Sequence, residues 1–216
     1  MKVKICGIKT EHDLAVAIHA GADAVGFITE VPVDSSRKIT LVETSRLISK
    51  VPIFVTTVLV IMPENAHEAL RMIQVARPTA VQIHNSLALS ELKKIREKGM
   101  KIIKNIPVSL DAQADTIIKQ IQELSGIADA VLLDTARDGK IGGTGMPHNW
   151  EISSKVVMNS RIPVILAGGL KPENVKDAVK CVRPYAVDTA SGVETDGKKD
   201  EKKVIDFIYN ARMHEI

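Results

Sequence analysis

Val3, Ile5 and Ile8 make the stretch Val3-Lys4-Ile5-Cys6-Gly7-Ile8 rich in β-branched residues, and Thr10-Glu11-His12-Asp13 follows it with the spacing of a helix capping box. Leu14, Ala17 and Ile18 then recur at helical spacing, Gly21 stops the helix, and Ala24-Val25-Gly26-Phe27-Ile28 is strand-like again. Strand, capped helix and strand within 26 residues form a βαβ unit, which requires parallel strands and a helical crossover.

The unit repeats along the chain. Further strands are expected at Ile53–Ile61, Ala80–Ile83, Lys101–Ile106, Ala130–Asp134, Ile162–Ala167 and Tyr185–Asp188. Helices are expected from a second capping box at Thr40-Leu41-Val42-Glu43, from Pro63, over Leu87–Lys98 and Ala112–Leu124, from about Trp150, and over Pro172–Val182 and Glu201–Ala211. Eight strand–helix units in 216 residues imply an α/β fold, a single (β/α)8 TIM barrel with parallel strands occupying one domain over residues 1–216. An open doubly wound sheet is the alternative if one strand is miscounted.

Composition narrows the function. Hydrophobic residues make up 45% of the chain, enough for a packed core, while aromatic residues make up only 3%, too few for a base-stacking surface. The 29 basic and 26 acidic residues are interspersed, so no basic stripe marks a nucleic-acid partner. The longest apolar runs, such as Val58–Met62, are far too short for a membrane helix, and the N-terminus shows no signal-peptide pattern. Cys6 and Cys181 are far apart and neither is in a CxxC pair, which fits a reducing, cytoplasmic setting. Cys181 is expected in the core of its helix.

In such a barrel, chemistry sits at the carboxyl ends of the strands. The candidates there are Cys6, Arg37, His84, Asp134, the pair Gly168-Gly169, and Asp188 to Gly192. Glycines in the loops after strands seven and eight let backbone N–H groups approach an anion, so Gly168, Gly169, Ser191 and Gly192 are expected to bind phosphate. Gly192 to Lys198 has the GxxxxGK spacing of a nucleotide loop, but Lys199 stands where Ser or Thr must hold magnesium. Gly142-Gly143-Thr144-Gly145 is not a dinucleotide fingerprint. A thiol and a carboxyl at strand ends could act as base and acid, which requires a thiolate at Cys6 and a protonated Asp134.

Four blocks together, spanning the chain, resemble the phosphoribosylanthranilate isomerase family. They are Lys4-Ile5-Cys6-Gly7-Ile8-Lys9; Leu132-Leu133-Asp134-Thr135 with Gly142-Gly143-Thr144-Gly145 and Trp150; Ala167-Gly168-Gly169-Leu170 with Pro172-Glu173-Asn174-Val175; and Val187-Asp188 with Ser191-Gly192-Val193-Glu194. The resemblance implies an Amadori rearrangement of a phosphoribosylated aromatic amine in tryptophan biosynthesis. It implies Cys6 as general base and Asp134 as general acid, with no cofactor and no metal. Arg37 matches the arginine facing the anthranilate carboxylate, Asp188 a residue near the anthranilate amine, and His84 a pocket-lining strand-end histidine. The partner implied is a small phosphorylated substrate; monomer and homodimer both remain open. The chain departs from the family pattern in a longer loop before Arg37 and in Asn85, Ala190 and His148. Related phosphosugar barrels would need other residues: a lysine–glutamate pair for an indole-glycerol-phosphate synthase, or several strand-end histidines for a metal epimerase. A non-catalytic barrel would not need both Cys6 and Asp134.

Overall fold

The computed structural model describes residues 1–109, 111–137, 140–141 and 148–213. Eight parallel strands close into a barrel: β1 (Lys2–Cys6), β2 (Ala24–Thr29), β3 (Thr56–Ile61), β4 (Ala80–Ile83), β5 (Lys101–Val108), β6 (Ala130–Arg137), β7 (Val164–Leu166) and β8 (Ala186–Thr189). Each pairs with the next, and β1 pairs with both β2 and β8, so no edge remains in the ring. Helices α1 (Glu11–His19), α2 (Leu41–Ile48), α3 (Ala66–Ala76), α4 (Leu89–Glu97), α5 (Ala114–Glu123), α6 (Trp150–Asn159), α7 (Val175–Val182) and α8 (Glu201–Arg212) follow the strands in order. Among the described residues no helix is long and apolar enough to cross a membrane.

Local chemistry explains most element ends. Thr10 and Asp13 form the reciprocal capping box of α1. At α2 only half a box forms: Thr40 accepts from the Glu43 backbone, while the Glu43 carboxylate turns outward to Arg46. β1 ends at Cys6, two residues earlier than expected, because Gly7 takes a left-handed φ of 76°. α3 starts after an Asn65 cap, and α7 starts at Val175; Pro63 and Pro172 lie in the approaching loops. β3 begins at Thr56 because a turn closed by Val55 N–H to the Pro52 carbonyl bends the chain, leaving Ile53 and Phe54 exposed despite their strand-like composition. Cys181 is also exposed, contrary to expectation: the buried stripe of α7 is Val175, Ala178, Val179 and Val182, and position 181 falls to its side.

The main apolar core lies between barrel and helices, with Leu59, Met72, Ile83, Leu92 and Ile102 on one side and Ile5, Phe27, Leu47, Val187 and Phe207 on the other. The barrel lumen holds smaller residues (Val58, Ala80, Ala130, Leu132, Ala186) together with buried polar ones. Strand alternation sets this division. Val3 and Ile5 point outward, so Lys4 and Cys6 belong to the opposite, lumen-facing set.

Candidate active site

A cavity of about 320 Å³ opens at the carboxyl end of the barrel. Cys6, Arg37, His84, Asp134, Gly168, Gly169, Asp188 and Ser191 all line it, drawn from six of the eight strand ends and strand–helix connections. Gly192 does not line it; it packs against the Leu170 carbonyl, joining the two glycine loops. Thr189 reinforces that junction by donating its hydroxyl to the same carbonyl at 2.8 Å. Gly142 to Gly145 fall outside the described residues.

Asp134 is 8% exposed at the end of the apolar run of β6. Burial, and then the carboxylate of Asp188, push its pKa up to about 7, against smaller opposing effects of the Thr135 N–H and Lys4. It can therefore hold a proton near neutrality. The buried Cys6 thiol is also pushed up, first by burial, although Lys4 and Lys199 oppose the shift. The lowered thiol pKa that a resting thiolate would require is thus not met.

Lys4, which the sequence reading treated only as a strand residue, is the largest addition to the site. Its Nζ lies 2.9 Å from Asp188 Oδ1, with 3% and 9% of the two side chains exposed. Burial alone would lower the ammonium pKa, but Asp188 and Cys6 outweigh it and the net shift is upward. Lys4 was discoverable: any reading that places Cys6 in the lumen places the residue two before it there too. Gln82 was missed for the same reason on β4.

Arg37 reaches the cavity through the polar loop after β2. Its aliphatic stem crosses Gly7, where an added Cβ would stand 2.5 Å from Arg37 Cδ. Its guanidinium forms a two-point pair with Glu194: Nε to Oε1 at 2.9 Å and Nη2 to Oε2 at 2.6 Å. The segment that mimicked a nucleotide loop is a β-hairpin, with Glu194–Thr195 antiparallel to Lys198–Lys199. Asp196 and Gly197 at its tip both have positive φ, as a two-residue Asp-Gly turn requires. That dipeptide was the available signal for the hairpin.

Beneath the glycine loop, Thr135 bonds His148 Nδ1 at 3.0 Å and receives the His148 N–H at 3.1 Å, while His148 Nε2 contacts Ser153 Oγ at 2.5 Å. Burial pushes the His148 pKa down to about 4, so the ring is neutral and serves as a fixed prop.

Residues 3–210 match the sequence model of the family described as N-(5'-phosphoribosyl)anthranilate (PRA) isomerase. The N-(5'-phosphoribosyl)anthranilate isomerase of Methanosarcina acetivorans is 51% identical, covering 98% of this chain and 93% of its own. The crystal structure of phosphoribosyl anthranilate isomerase from Thermotoga maritima superposes with a TM-score of 0.86 at 34% identity, covering 99% of each chain. A phosphoribosyl anthranilate isomerase in complex with reduced 1-(o-carboxyphenylamino)-1-deoxyribulose 5-phosphate superposes at 0.83 with 32% identity, again over 99% of each chain. With full-length agreement in sequence and in fold, this chain belongs to the phosphoribosylanthranilate isomerase family.

Proposed function

We propose that the protein converts N-(5-phosphoribosyl)anthranilate to 1-(2-carboxyphenylamino)-1-deoxyribulose 5-phosphate, with Asp134 as general acid and Cys6 as general base. The observation that carries this reading is the common cavity: an acid that holds its proton near pH 7 and a thiol flanked by cations, between Arg37 and the glycine loops. Asp134 donates its proton to the furanose ring oxygen. The C1–O bond breaks as the amine lone pair forms a C1=N iminium. The Cys6 thiolate removes the C2 proton, and the C–H electrons form C1=C2 while the iminium nitrogen recovers its pair. The enolamine then loses the C2 hydroxyl proton and gains one at C1, giving the ketone with no net change in redox state.

Gly168, Gly169 and Ser191 offer backbone N–H groups and a hydroxyl for the phosphate, with Gly192 bracing their loops. In this reading Arg37 takes the anthranilate carboxylate, Asp188 faces the amine nitrogen, and His84 forms part of the wall. The test is direct. The protein mixed with freshly prepared phosphoribosylanthranilate should accelerate the loss of anthranilate-type fluorescence; a rate equal to the blank overturns the reading.

A further inference from the structure

Arg37, Glu194 and Lys199 form a chain of charges at the rim of the cavity. Glu194 Oε1 accepts from Arg37 Nε at 2.9 Å and from Lys199 Nζ at 2.8 Å, and Oε2 accepts from Arg37 Nη2 at 2.6 Å. Lys199 Nζ also donates to the Ala190 carbonyl at 2.9 Å, and its side chain is 1% exposed. Glu194 and Lys199 are direct cross-strand partners in the hairpin, so backbone register alone places ammonium against carboxylate. The hairpin is tied down at both ends of this pair. The Lys199 N–H donates to Asp13 Oδ1 at 3.2 Å, and Lys203 Nζ donates to the Glu194 carbonyl at 2.9 Å. Asp13 completes the capping box of α1 with Thr10, so the first and last units of the barrel hold one carboxylate in place.

Desolvating three charges is costly, and a lone surface arginine would need none of this to stay soluble. The arrangement restricts the guanidinium. Glu194 occupies its Nε/Nη2 edge, and Gly7 lets the stem lie flat across the strand end. The remaining Nη1/Nη2 edge has no hydrogen-bond partner among the described residues. That edge is a second planar fork suited to a second carboxylate. Burial raises and its two cations lower the affinity of Glu194 for a proton, and the cations win, so it stays ionised.

We propose that Glu194, charge-balanced by Lys199, is the positioning residue for Arg37 and sets the preference for substrates bearing a carboxylate ortho to the aromatic amine. This rests on the isomerase reading above. The role is orientation, so it separates from a general structural role by substrate. N-(5-phosphoribosyl)aniline, made by the same condensation of ribose 5-phosphate with the amine, lacks only the carboxylate.

Expected results are as follows. Glu194→Ala raises KM for the anthranilate substrate about tenfold with a much smaller change in kcat, and the kcat/KM ratio between the two substrates falls about tenfold. Glu194→Gln, which keeps one acceptor oxygen, falls between, and carries the test if the alanine variant does not fold. Arg37→Ala combined with Glu194→Ala is no worse than Arg37→Ala alone. Equal losses on both substrates, or additive losses in the double variant, overturn the proposal. A crystal structure of the Glu194 variant tests positioning independently of turnover: the Arg37 guanidinium should move from the place it holds beside position 194, and an unmoved guanidinium overturns it. Failure of the unmodified protein to turn over the anthranilate substrate would instead remove the isomerase reading.

Discussion

Lys4 Nζ lies 2.9 Å from Asp188 Oδ1 inside the barrel, and both side chains are almost wholly buried. The two residues are register partners on β1 and β8, the strands whose pairing closes the sheet. One ion pair therefore sits at the seam of the barrel and acts on both proposed proton-transfer groups, its carboxylate raising and its ammonium lowering the pKa of each.

Lys4→Met should leave Asp188 buried without its cation. Loss of one partner of a buried pair costs about 3–5 kcal/mol, readable as a shift in the urea midpoint. With the positive charge gone, the Cys6 thiolate is disfavoured further. In a Cys181→Ser background, alkylation of Cys6 by iodoacetamide should then move to higher pH. An unmoved alkylation profile would show that Lys4 does not act on the thiol.

Asp134 should make stability fall with pH. Its folded-state pKa of about 7 lies above that of the unfolded chain, so the unfolded chain ionises first. Stability is fully present below about pH 4 and is lost as pH rises toward 7, by a few kcal/mol in total, approximately. Asp134→Asn cannot ionise. Its melting temperature relative to the unmodified protein should be higher at pH 8 and nearly equal at pH 4, while turnover falls by about 10²–10⁴. An equal offset at both pH values would contradict the assigned burial.

The pH dependence of kcat/KM should be bell-shaped, with an acid limb near 7 and an alkaline limb above the ordinary thiol value of about 8.5. The reactive form has Asp134 protonated and Cys6 ionised. Because the acid is the stronger of the two, this form is a minority whose population is level between the two limbs. Cys6→Ser should abolish most turnover. A flat profile from pH 6 to 9 would exclude this pair as acid and base.

Gly168→Ala should damage both the loop and its support. Gly168 has φ of 85°, and an added Cβ would stand 2.2 Å from Thr135 Oγ1, which His148 holds from behind. The expected cost is about 2–4 kcal/mol of stability by denaturant unfolding, with weakened binding of inorganic phosphate. Normal stability would mean that the Thr135–His148 support yields easily.

Much of this protein was legible in its sequence because the signals are local. The αβ alternation follows from period-two and period-3.6 patterning, and Thr10 and Gly21 mark the ends of α1 by chemistry within a few residues. The strand-end rule then selected Cys6, Asp134, Asp188 and the glycine loop from polar side chains elsewhere. Where composition misled, as at Ile53 and Phe54, a single turn at Pro52 took β-prone residues out of the sheet.

The charge network belongs to the tertiary structure alone. Lys4 and Asp188 are 184 positions apart, and Arg37 and Glu194 are 157 apart, so no window along the chain contains either pair. Whether a buried lysine is paired, and whether a thiol is pushed up or down, depends on which charges closure of the barrel brings within a few ångströms in a low-dielectric lumen. Residue types and strand order were set locally; the protonation of Asp134, the resistance of Cys6 to ionisation and the fixed heading of Arg37 arise only when β1 meets β8 and the final hairpin folds back on α1.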